Sequence, residues 1–205
     1  MHSLHLRSDH PAGREKEHMR LEGAFFERDT AAVACELLGC TLVRRTEQGE
    51  IRVRLTETEA YKGAEDPASH AHRGVTPRNQ LMFGACGVLY VYFIYGMHYC
   101  LNIVAHEPGA VGAVLLRGAA PLEGEALIRA NRPGVPDKAL LNGPGKLAKG
   151  LGIGIEWNGR DLLTDGELWV ERDPAAPALP WEATPRIGIS KGQELLWRFT
   201  PKKPG

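Results

Sequence analysis

The most regular pattern in the chain is an alternation of apolar and polar residues within residues 41–61. Apolar residues occupy every second position from Ile51 to Leu55, which is the periodicity of a strand with one buried face. Gln48 and Gly49 interrupt the pattern with turn-forming residues, so the segment predicts a β-hairpin. Shorter apolar runs predict further strands at residues 88–94, 99–105, 111–117, 167–171, 186–189 and 196–199.

Helical spacing appears in shorter segments. Val33 and Leu37 fall on one helical face, Asp29 or Thr30 can cap the helix N-terminus, and Gly39 can end the helix. Two more helices are predicted at residues 122–131 and 146–151. Strands outnumber helices and most connections are too short for a βαβ crossover, so we predict an α+β fold with a largely antiparallel sheet.

Length and composition favour one compact domain that does not enter a membrane. The chain has 205 residues, 43% of them hydrophobic, and no apolar stretch approaches the roughly 20 residues that span a bilayer. Residues 1–20 are polar and His-rich and lack a signal-peptide core, so we expect a mobile tail there and the domain at residues 21–205. The four cysteines lack CxxC-type spacing, which favours reduced thiols and an intracellular location.

Charge is balanced over the whole chain but unevenly placed. Lys plus Arg equals Asp plus Glu at 25 each, so net charge predicts no nucleic-acid partner. Residues 186–205 nevertheless carry five basic residues against one acidic, and residues 129–160 carry six against two. Each basic segment fits either a phosphate-binding surface or ordinary solvated charge.

Two carboxylates stand where the alternating strand would place core residues. Glu57 and Glu59 continue the row of Ile51, Val53 and Leu55. A sheet interior tolerates a charge only when it is paired, protonated or open to a cleft. The pair therefore indicates either a cleft with acid–base chemistry or a strand end that has already reached solvent.

Aromatic residues crowd the segment at residues 88–102. Tyrosines flank a predicted turn at Tyr95 and Gly96, and their flat faces with polar rims suit stacking on a nucleic-acid base. Asn102 lies in an apolar run, where a base edge can satisfy its amide. Strand aromatics are equally typical of a core, and the amide equally fits a backbone hydrogen bond.

Arg117 and the loop at residues 63–79 add polar groups to this picture. Arg117 closes an apolar strand, and a guanidinium at that depth favours a carboxylate or phosphate partner. His70 and His72 in the loop could join Glu59 as metal ligands, but no cysteine or third histidine has suitable spacing. We therefore expect no metal at this site.

Seven ordered blocks within residues 25–199 resemble one known family. They are ETEAYKGAEDPASH, TPRN, MF, YVYFIYGMHYCLN, VLLR, PLEG and GPGKL. In this order they resemble the alkyladenine (3-methyladenine, hypoxanthine) DNA glycosylase family. The resemblance implies a single compact domain around a curved antiparallel sheet with a protruding β-hairpin, no metal or cofactor, and double-stranded DNA with damaged purines as the partner of a monomeric, DNA-associated enzyme.

The resemblance also implies an activity in base excision repair. A monofunctional glycosylase flips an alkylated or deaminated purine (3-methyladenine, 7-methylguanine, hypoxanthine or 1,N6-ethenoadenine) from the duplex and hydrolyses its bond to deoxyribose. Glu59 corresponds to the base that activates the water, Arg117 to an arginine that holds this water, and Ile187 to a water-positioning backbone carbonyl. No catalytic lysine is evident at these sites, so we expect an abasic product rather than a Schiff base.

Other residues correspond to the family's DNA contacts. Tyr61, His70 and Tyr92 match the three rings that sandwich the flipped base, and Asn102 matches the amide that disfavours guanine. Tyr95 corresponds to the wedge that fills the space left by the flipped nucleotide. Met97 and His98 would flank this wedge, Arg78 and Lys146 are candidate phosphate contacts, and His98 stands where relatives often carry an aromatic ring.

Two other classes of function fit parts of the pattern. The basic segments and aromatic residues also fit a nucleic-acid-binding module without catalysis. A metal-dependent hydrolase could use Glu57, Glu59, His70 and His72. Release of a damaged base separates the glycosylase from the binding module, and activity in excess EDTA separates it from the metal enzyme.

Overall fold

The structure is a computed structural model that describes residues 19–202. Over this range the chain forms β1 (Met19–Arg20), α1 (Gly23–Phe26), α2 (Thr30–Glu36), β2 (Thr41–Thr46), β3 (Gly49–Tyr61), β4 (Leu89–Ile94), β5 (His98–Val104), β6 (Ala113–Glu123), α3 (Glu125–Asn131), α4 (Pro144–Gly150), β7 (Leu168–Arg172), β8 (Trp181–Thr184) and β9 (Arg198–Pro201). Short 3-10 helices occupy Gln80–Phe83, Asp137–Ala139 and Ile155–Trp157.

The strands pair antiparallel in the order β1-β7-β2-β3-β6-β5-β4, and β9 pairs with both β3 and β8. The predicted α+β fold around a mainly antiparallel sheet is thereby confirmed. The 13-residue β3 pairs with β2, β6 and β9. Its first half packs in the core, and its last residues reach the pocket described below.

The main hydrophobic core lies between the sheet and helices α2, α3 and α4. The predicted cap of α2 is present, because Oδ2 of Asp29 accepts hydrogen bonds from the backbone N–H groups of Ala31 at 3.0 Å and Ala32 at 3.1 Å. A second, smaller cluster contains Met82 and Tyr90 and packs against Tyr61 and Tyr92. This cluster forms the apolar floor of the pocket.

An irregularity between β3 and β6 changes the face that each strand presents. The register shifts between Leu55 and Glu57 and again between Glu57 and Thr58, so Thr56 on β3 and Arg117 on β6 have no direct partner in the ladder. Such bulges redirect side chains next to functional sites. Here the irregularity lies beside the two glutamates.

The consequence is that Glu57 and Glu59 do not continue the core-facing row, and that prediction is wrong. The buried row passes from Leu55 to Thr58, whose hydroxyl bonds to a carbonyl of α2, and to Ala60 in the core cluster. One extra residue exchanges the two faces of a strand, because side chains alternate with a period of two. The glutamates thus project toward the pocket.

Residues 186–189 do not form the predicted strand. The guanidinium of Arg186 is drawn inward to Asp66, and the N–H of Ile187 bonds to the carboxylate of Glu59. The Arg186 side chain and the Ile187 N–H therefore donate hydrogen bonds to carboxylates, and residues 186–189 join no strand ladder. The proline-rich segment before them, residues 174–185, contains β8, which pairs with β9.

The helix predicted from residue 122 begins three residues later. Leu122 and Glu123 end β6, and Gly124 separates strand from helix with a φ of 72°.

Of the predicted tail at residues 1–20, Met19 and Arg20 form β1 and pair with β7, and the rest lies outside the described residues. No helix between residues 19 and 202 is long and apolar enough to span a bilayer.

Candidate active site

A pocket of about 340 Å³ opens where β3 ends, between the β4–β5 hairpin, β6 and the loops at residues 62–79 and 186–189. Its size lies within the range of sites for small molecules, about 300–1,000 Å³. Tyrosine rings, aliphatic side chains and a few polar groups line it: Tyr61, Ala68, His70, Met82, Tyr90, Tyr92, Ile94, Tyr95, Cys100, Asn102, Ala113, Leu115, Arg117, Pro144, Ile187, Gly188 and Ile189. Most of the residues predicted for base binding and catalysis therefore surround one cavity.

Glu59 lies behind the pocket wall and is fully buried. The Tyr61 hydroxyl donates to Glu59 Oε2 at 2.7 Å, and the Ile187 N–H donates to Oε1 at 2.8 Å. Arg117 makes longer contacts, with Nε 3.4 Å from Oε1 and Nη1 3.5 Å from Oε2. The three residues that hold this carboxylate all line the pocket, so the carboxylate is one side-chain layer from the cavity.

Burial raises the pKa of Glu59 above its usual value, and Arg117, the Ile187 N–H and the Tyr61 hydroxyl only partly oppose this effect. A carboxylate with a raised pKa is a stronger base than one in water. Proton transfer is most efficient when the pKa of the catalytic group approaches the working pH. The surroundings of Glu59 thus suit a general base.

Arg117 is held by the second glutamate of β3. Its Nε donates to Glu57 Oε1 at 3.0 Å, and Nε of Arg198 on β9 donates to the same oxygen at 2.6 Å. The short bond of Arg117 goes to Glu57 and the long contacts go to Glu59. Glu57 therefore anchors a guanidinium whose remaining donors face Glu59 and the pocket.

Aromatic rings form one side of the pocket. The rings of His70 and Tyr92 have centroids 4.7 Å apart at 66°, and Tyr90 and Tyr92 lie 5.2 Å apart. His70 Nδ1 is 2.9 Å from the Tyr90 hydroxyl. Desolvation, joined by the charge of Arg78, lowers the pKa of His70, and burial raises the pKa of Tyr92. The rings are therefore neutral near pH 7 and offer stacking surfaces without charge.

Polar groups on β5 complete the floor. The Asn102 amide donates to the Tyr90 carbonyl at 3.0 Å and lines the pocket in a buried position. Both the predicted backbone bond and the predicted placement beside the ligand space are thus present. Cys100 also lines the pocket, and burial raises the pKa of its thiol to about 11, so it is protonated at neutral pH.

The tip of the β4–β5 hairpin projects apolar side chains into solvent. Tyr95 is 82% exposed and Met97 is 70% exposed. Tyr95 has a φ of 50°, in the left-handed region that a bulky residue rarely adopts, and Gly96 follows with a φ of 69°. An exposed aromatic residue in a costly backbone conformation points to a function outside the fold itself.

The remaining predicted contacts lie around the pocket entrance. His98 begins β5 and packs against α4, where a Cβ added at Gly145 would lie 2.9 Å from the Cβ of His98. The exposed Arg78 has its guanidinium carbon 5.6 Å from the centroid of the Tyr92 ring. Lys146 bonds through Nζ to Asn142 Oδ1 at 2.8 Å. Their contacts with DNA stay predictions.

The described part of the chain brings no three His, Cys, Asp or Glu side chains together as metal ligands. His72 directs Nδ1 to the carbonyl of Ala64 at 2.7 Å, and His70 directs Nδ1 to Tyr90. The oxygens of Glu59 face N–H and O–H donors, which a cation would not tolerate. The arrangement gives no support to the metal-dependent alternative.

Sequence reasoning missed a buried ion pair behind the pocket. Arg186, predicted from the sequence as part of a basic segment and the first residue of a strand, forms two bonds of 2.7 Å with Asp66, and both side chains are fully buried. Asp66 was read as part of a polar loop. Sequence signals for such a pair are weak, because the two residues are 120 positions apart and both stand in turn-rich segments.

Comparison with known proteins agrees with this geometry. The methylpurine-DNA glycosylase (MPG) family matches residues 24–204 of the chain. A protein of Chlorobaculum parvum is 46% identical over 180 residues, which cover 87% of this chain and 86% of the relative. A protein of Methanocella arvoryzae is 44% identical over 182 residues, covering 87% and 90%.

A third relative, from Methanoculleus marisnigri, is 46% identical over 184 residues, which cover 88% of this chain and 94% of the relative. Each of the three carries the name "Putative 3-methyladenine DNA glycosylase". The resemblance stated from the sequence blocks is thereby confirmed at the level of the family, and with it an enzyme that hydrolyses N-glycosyl bonds in DNA repair. The chain belongs to the methylpurine-DNA glycosylase family.

Proposed function

We propose that this enzyme flips a damaged purine from double-stranded DNA into the pocket and hydrolyses its bond to deoxyribose with a water activated by Glu59. One observation carries the proposal: a fully buried carboxylate with a raised pKa is held by three residues that line an aromatic pocket. The substrate is an alkylated or deaminated purine. Its planar ring enters between Tyr61 on one side and His70 and Tyr92 on the other.

The hydrolytic step needs one carboxylate when the base is cationic. The water oxygen attacks C1′, the C1′–N bond breaks, and the base leaves with the bonding electron pair as a neutral molecule. Glu59 takes the water proton, and its negative charge stabilises the oxocarbenium-like transition state. A neutral lesion such as hypoxanthine additionally needs a proton on the leaving base.

A water reaches Glu59 at the positions now taken by Arg117. The contacts of 3.4 and 3.5 Å between Arg117 and Glu59 are long, whereas the bonds from Tyr61 and Ile187 are 2.7 and 2.8 Å. Replacing the long contacts of Arg117 with a water costs less free energy than replacing the short hydrogen bonds from Tyr61 and Ile187. Arg117 then bonds to the same water or to the phosphate beside the flipped nucleotide.

The product is an intact strand with an abasic site. Among the described residues, 19–202, none that lines the pocket is a lysine, so these residues supply no amine for a Schiff base. Stacking on aromatic rings contributes about 1–3 kcal/mol per base, which offsets part of the few kcal/mol that flipping costs.

Tyr95 fills the gap in the duplex as a wedge, with Met97 and His98 in the groove and Arg78 and Lys146 at phosphates. The enzyme acts as a monomer.

The relatives' name gives 3-methyladenine as the first substrate to test. Single-turnover release of 3-methyladenine, 7-methylguanine, hypoxanthine and 1,N6-ethenoadenine from duplex DNA tests the proposal and sets the substrate range. We expect Glu59→Gln to bind the lesion duplex normally and to lose excision by about a thousandfold, within the range of about 10²–10⁴ that a general base contributes. Glu50→Gln, at the other end of β3, is the matched control. Unchanged excision by Glu59→Gln would reject the assigned base.

A further inference from the structure

The buried pair of Asp66 and Arg186 stands behind the site and has no direct contact with the ligand space assigned above. Both side chains are fully buried. A buried ion pair contributes little net stability, because the cost of removing both charges from water offsets their attraction. The pair therefore matters more for the groups that it orients than for the stability of the fold.

Arg186 contacts the two residues that follow Glu59 in β3 and directly precedes the residue that bonds to Glu59. Its Nη1 donates to the carbonyl of Ala60 at 2.9 Å, between Glu59 and Tyr61. Its guanidinium carbon lies 4.6 Å from the centroid of the Tyr61 ring. The next residue in the chain is Ile187, whose N–H donates to Glu59.

Asp66 fixes the guanidinium from the opposite side. Its two oxygens take one N–H each from Nη1 and Nη2 of Arg186, a planar fork that leaves one orientation. The same oxygens accept the backbone N–H groups of Lys62 at 3.0 Å and Ala68 at 3.1 Å. The loop that follows β3 and leads to His70 is thus tied to the segment that carries Ile187.

We propose that Asp66 and Arg186 form a positioning pair for the reaction, which holds the Ile187 N–H on the carboxylate of Glu59 and supports the rear face of the Tyr61 ring. This inference rests on the proposed role of Glu59 as general base. Residues 186–189 have no strand ladder of their own. The ion pair supplies the orientation that a ladder would give.

The pair has a consequence that a purely structural pair would not have. A hydrogen bond to a carboxylate favours its charged form, and the Ile187 N–H lowers the pKa of Glu59. Loss of the pair lets this N–H move, so the pKa of Glu59 rises further. The base is then deprotonated only at higher pH, and the acidic limb of the pH–rate profile moves upward.

The test compares Asp66→Asn with Asp165→Asn. Asp165 is the matched control, because it also binds an arginine, Arg160, and accepts two backbone N–H groups. It does not line the pocket. The readout is single-turnover release of 3-methyladenine and 7-methylguanine from methylated duplex DNA as a function of pH. Both bases are cationic while they are attached to deoxyribose. The acidic limb therefore does not include protonation of the leaving base.

We expect the acidic limb of Asp66→Asn to move up by about one pH unit and its plateau rate to fall about tenfold. Asp165→Asn removes a carboxylate from a partly exposed ion pair and should leave the limb in place. Ile187→Pro, which removes the N–H itself, should move the limb in the same direction. The double variant Asp66→Asn/Ile187→Pro should show no larger shift of the limb than either single variant. Additive shifts, or a limb that stays in place in Asp66→Asn, would overturn the proposal.

Arg186→Lys serves as the second variant if Asp66→Asn does not fold. It keeps the charge but cannot form the two-bond fork, so we expect a limb shift of the same sign. A wild-type protein that releases no methylated base refutes the proposed function instead. Normal wild-type release with an unmoved limb in these variants refutes only the positioning pair.

Discussion

The hydroxyl group of Tyr61 donates a hydrogen bond to Oε2 of Glu59 over 2.7 Å, and the two residues lie two positions apart on the same face of β3. This bond joins the proposed general base to a ring that lines the pocket. Tyr61 therefore has two separable properties. Its ring provides a stacking surface, and its hydroxyl group stabilises the charged form of Glu59.

Tyr61→Phe separates these properties. The ring stays and the hydrogen bond is lost, so the pKa of Glu59 rises and the acidic limb of the excision profile should move to higher pH. We expect a shift of about one unit, the size of a hydrogen bond to a charged group. Tyr92→Phe removes a pocket hydroxyl that does not bond to Glu59 and should leave the limb in place. Equal limbs in the two variants would contradict the role of the hydroxyl.

Glu57→Gln should shift the profile in the opposite direction. The charge of Glu57 raises the pKa of Glu59, and Glu57 also holds Arg117 away from Glu59. Without this charge, Arg117 can approach Glu59 and stabilise its charged form, so the pKa of Glu59 falls. The measurement is again release of 7-methylguanine against pH. A limb that moves to higher pH would show that Glu57 acts in another way.

Tyr95→Gly should weaken DNA binding without loss of stability. Glycine adopts the positive φ of this position freely, and the relief of about 1 kcal/mol or more offsets the greater entropy of the unfolded chain. We expect an unchanged Tm and a Kd for lesion duplex about tenfold higher, because the wedge is lost. Trp181→Ala, which truncates an exposed aromatic residue on β8, is the control. Equal affinities of wild type and Tyr95→Gly would exclude the wedge.

A close approach between loop and helix gives a prediction for stability. A Cβ added at Gly112 would lie 2.2 Å from Oγ1 of Thr30 and 2.9 Å from the carbonyl oxygen of Ala105. We expect Gly112→Ala to lower the free energy of unfolding by about 1–3 kcal/mol, measured by urea denaturation. Gly166→Ala, where nothing lies within 4 Å of the added Cβ, should change it by less than about 0.5 kcal/mol.

Much of the fold and many site residues could be predicted from the sequence. The β2–β3 hairpin, the capped helix α2 and the strands β4 and β5 follow from local signals: period-two alternation, a capping Asp29 and runs of strand-forming residues. The site residues came from ordered blocks that resemble one family. Such signals are local, so a linear sequence carries them directly.

Tertiary structure alone decided which face of β3 the Glu59 carboxylate occupies. Alternation placed Glu59 in the core row, whereas the irregularity at Thr56 and Arg117 turns it toward the pocket. The segment of Ile187 was predicted as a strand, but the bond to Asp66 pulls Arg186 inward and leaves the Ile187 N–H on Glu59. Residues far apart in sequence make these contacts, and their geometry depends on register and burial, which no local pattern encodes.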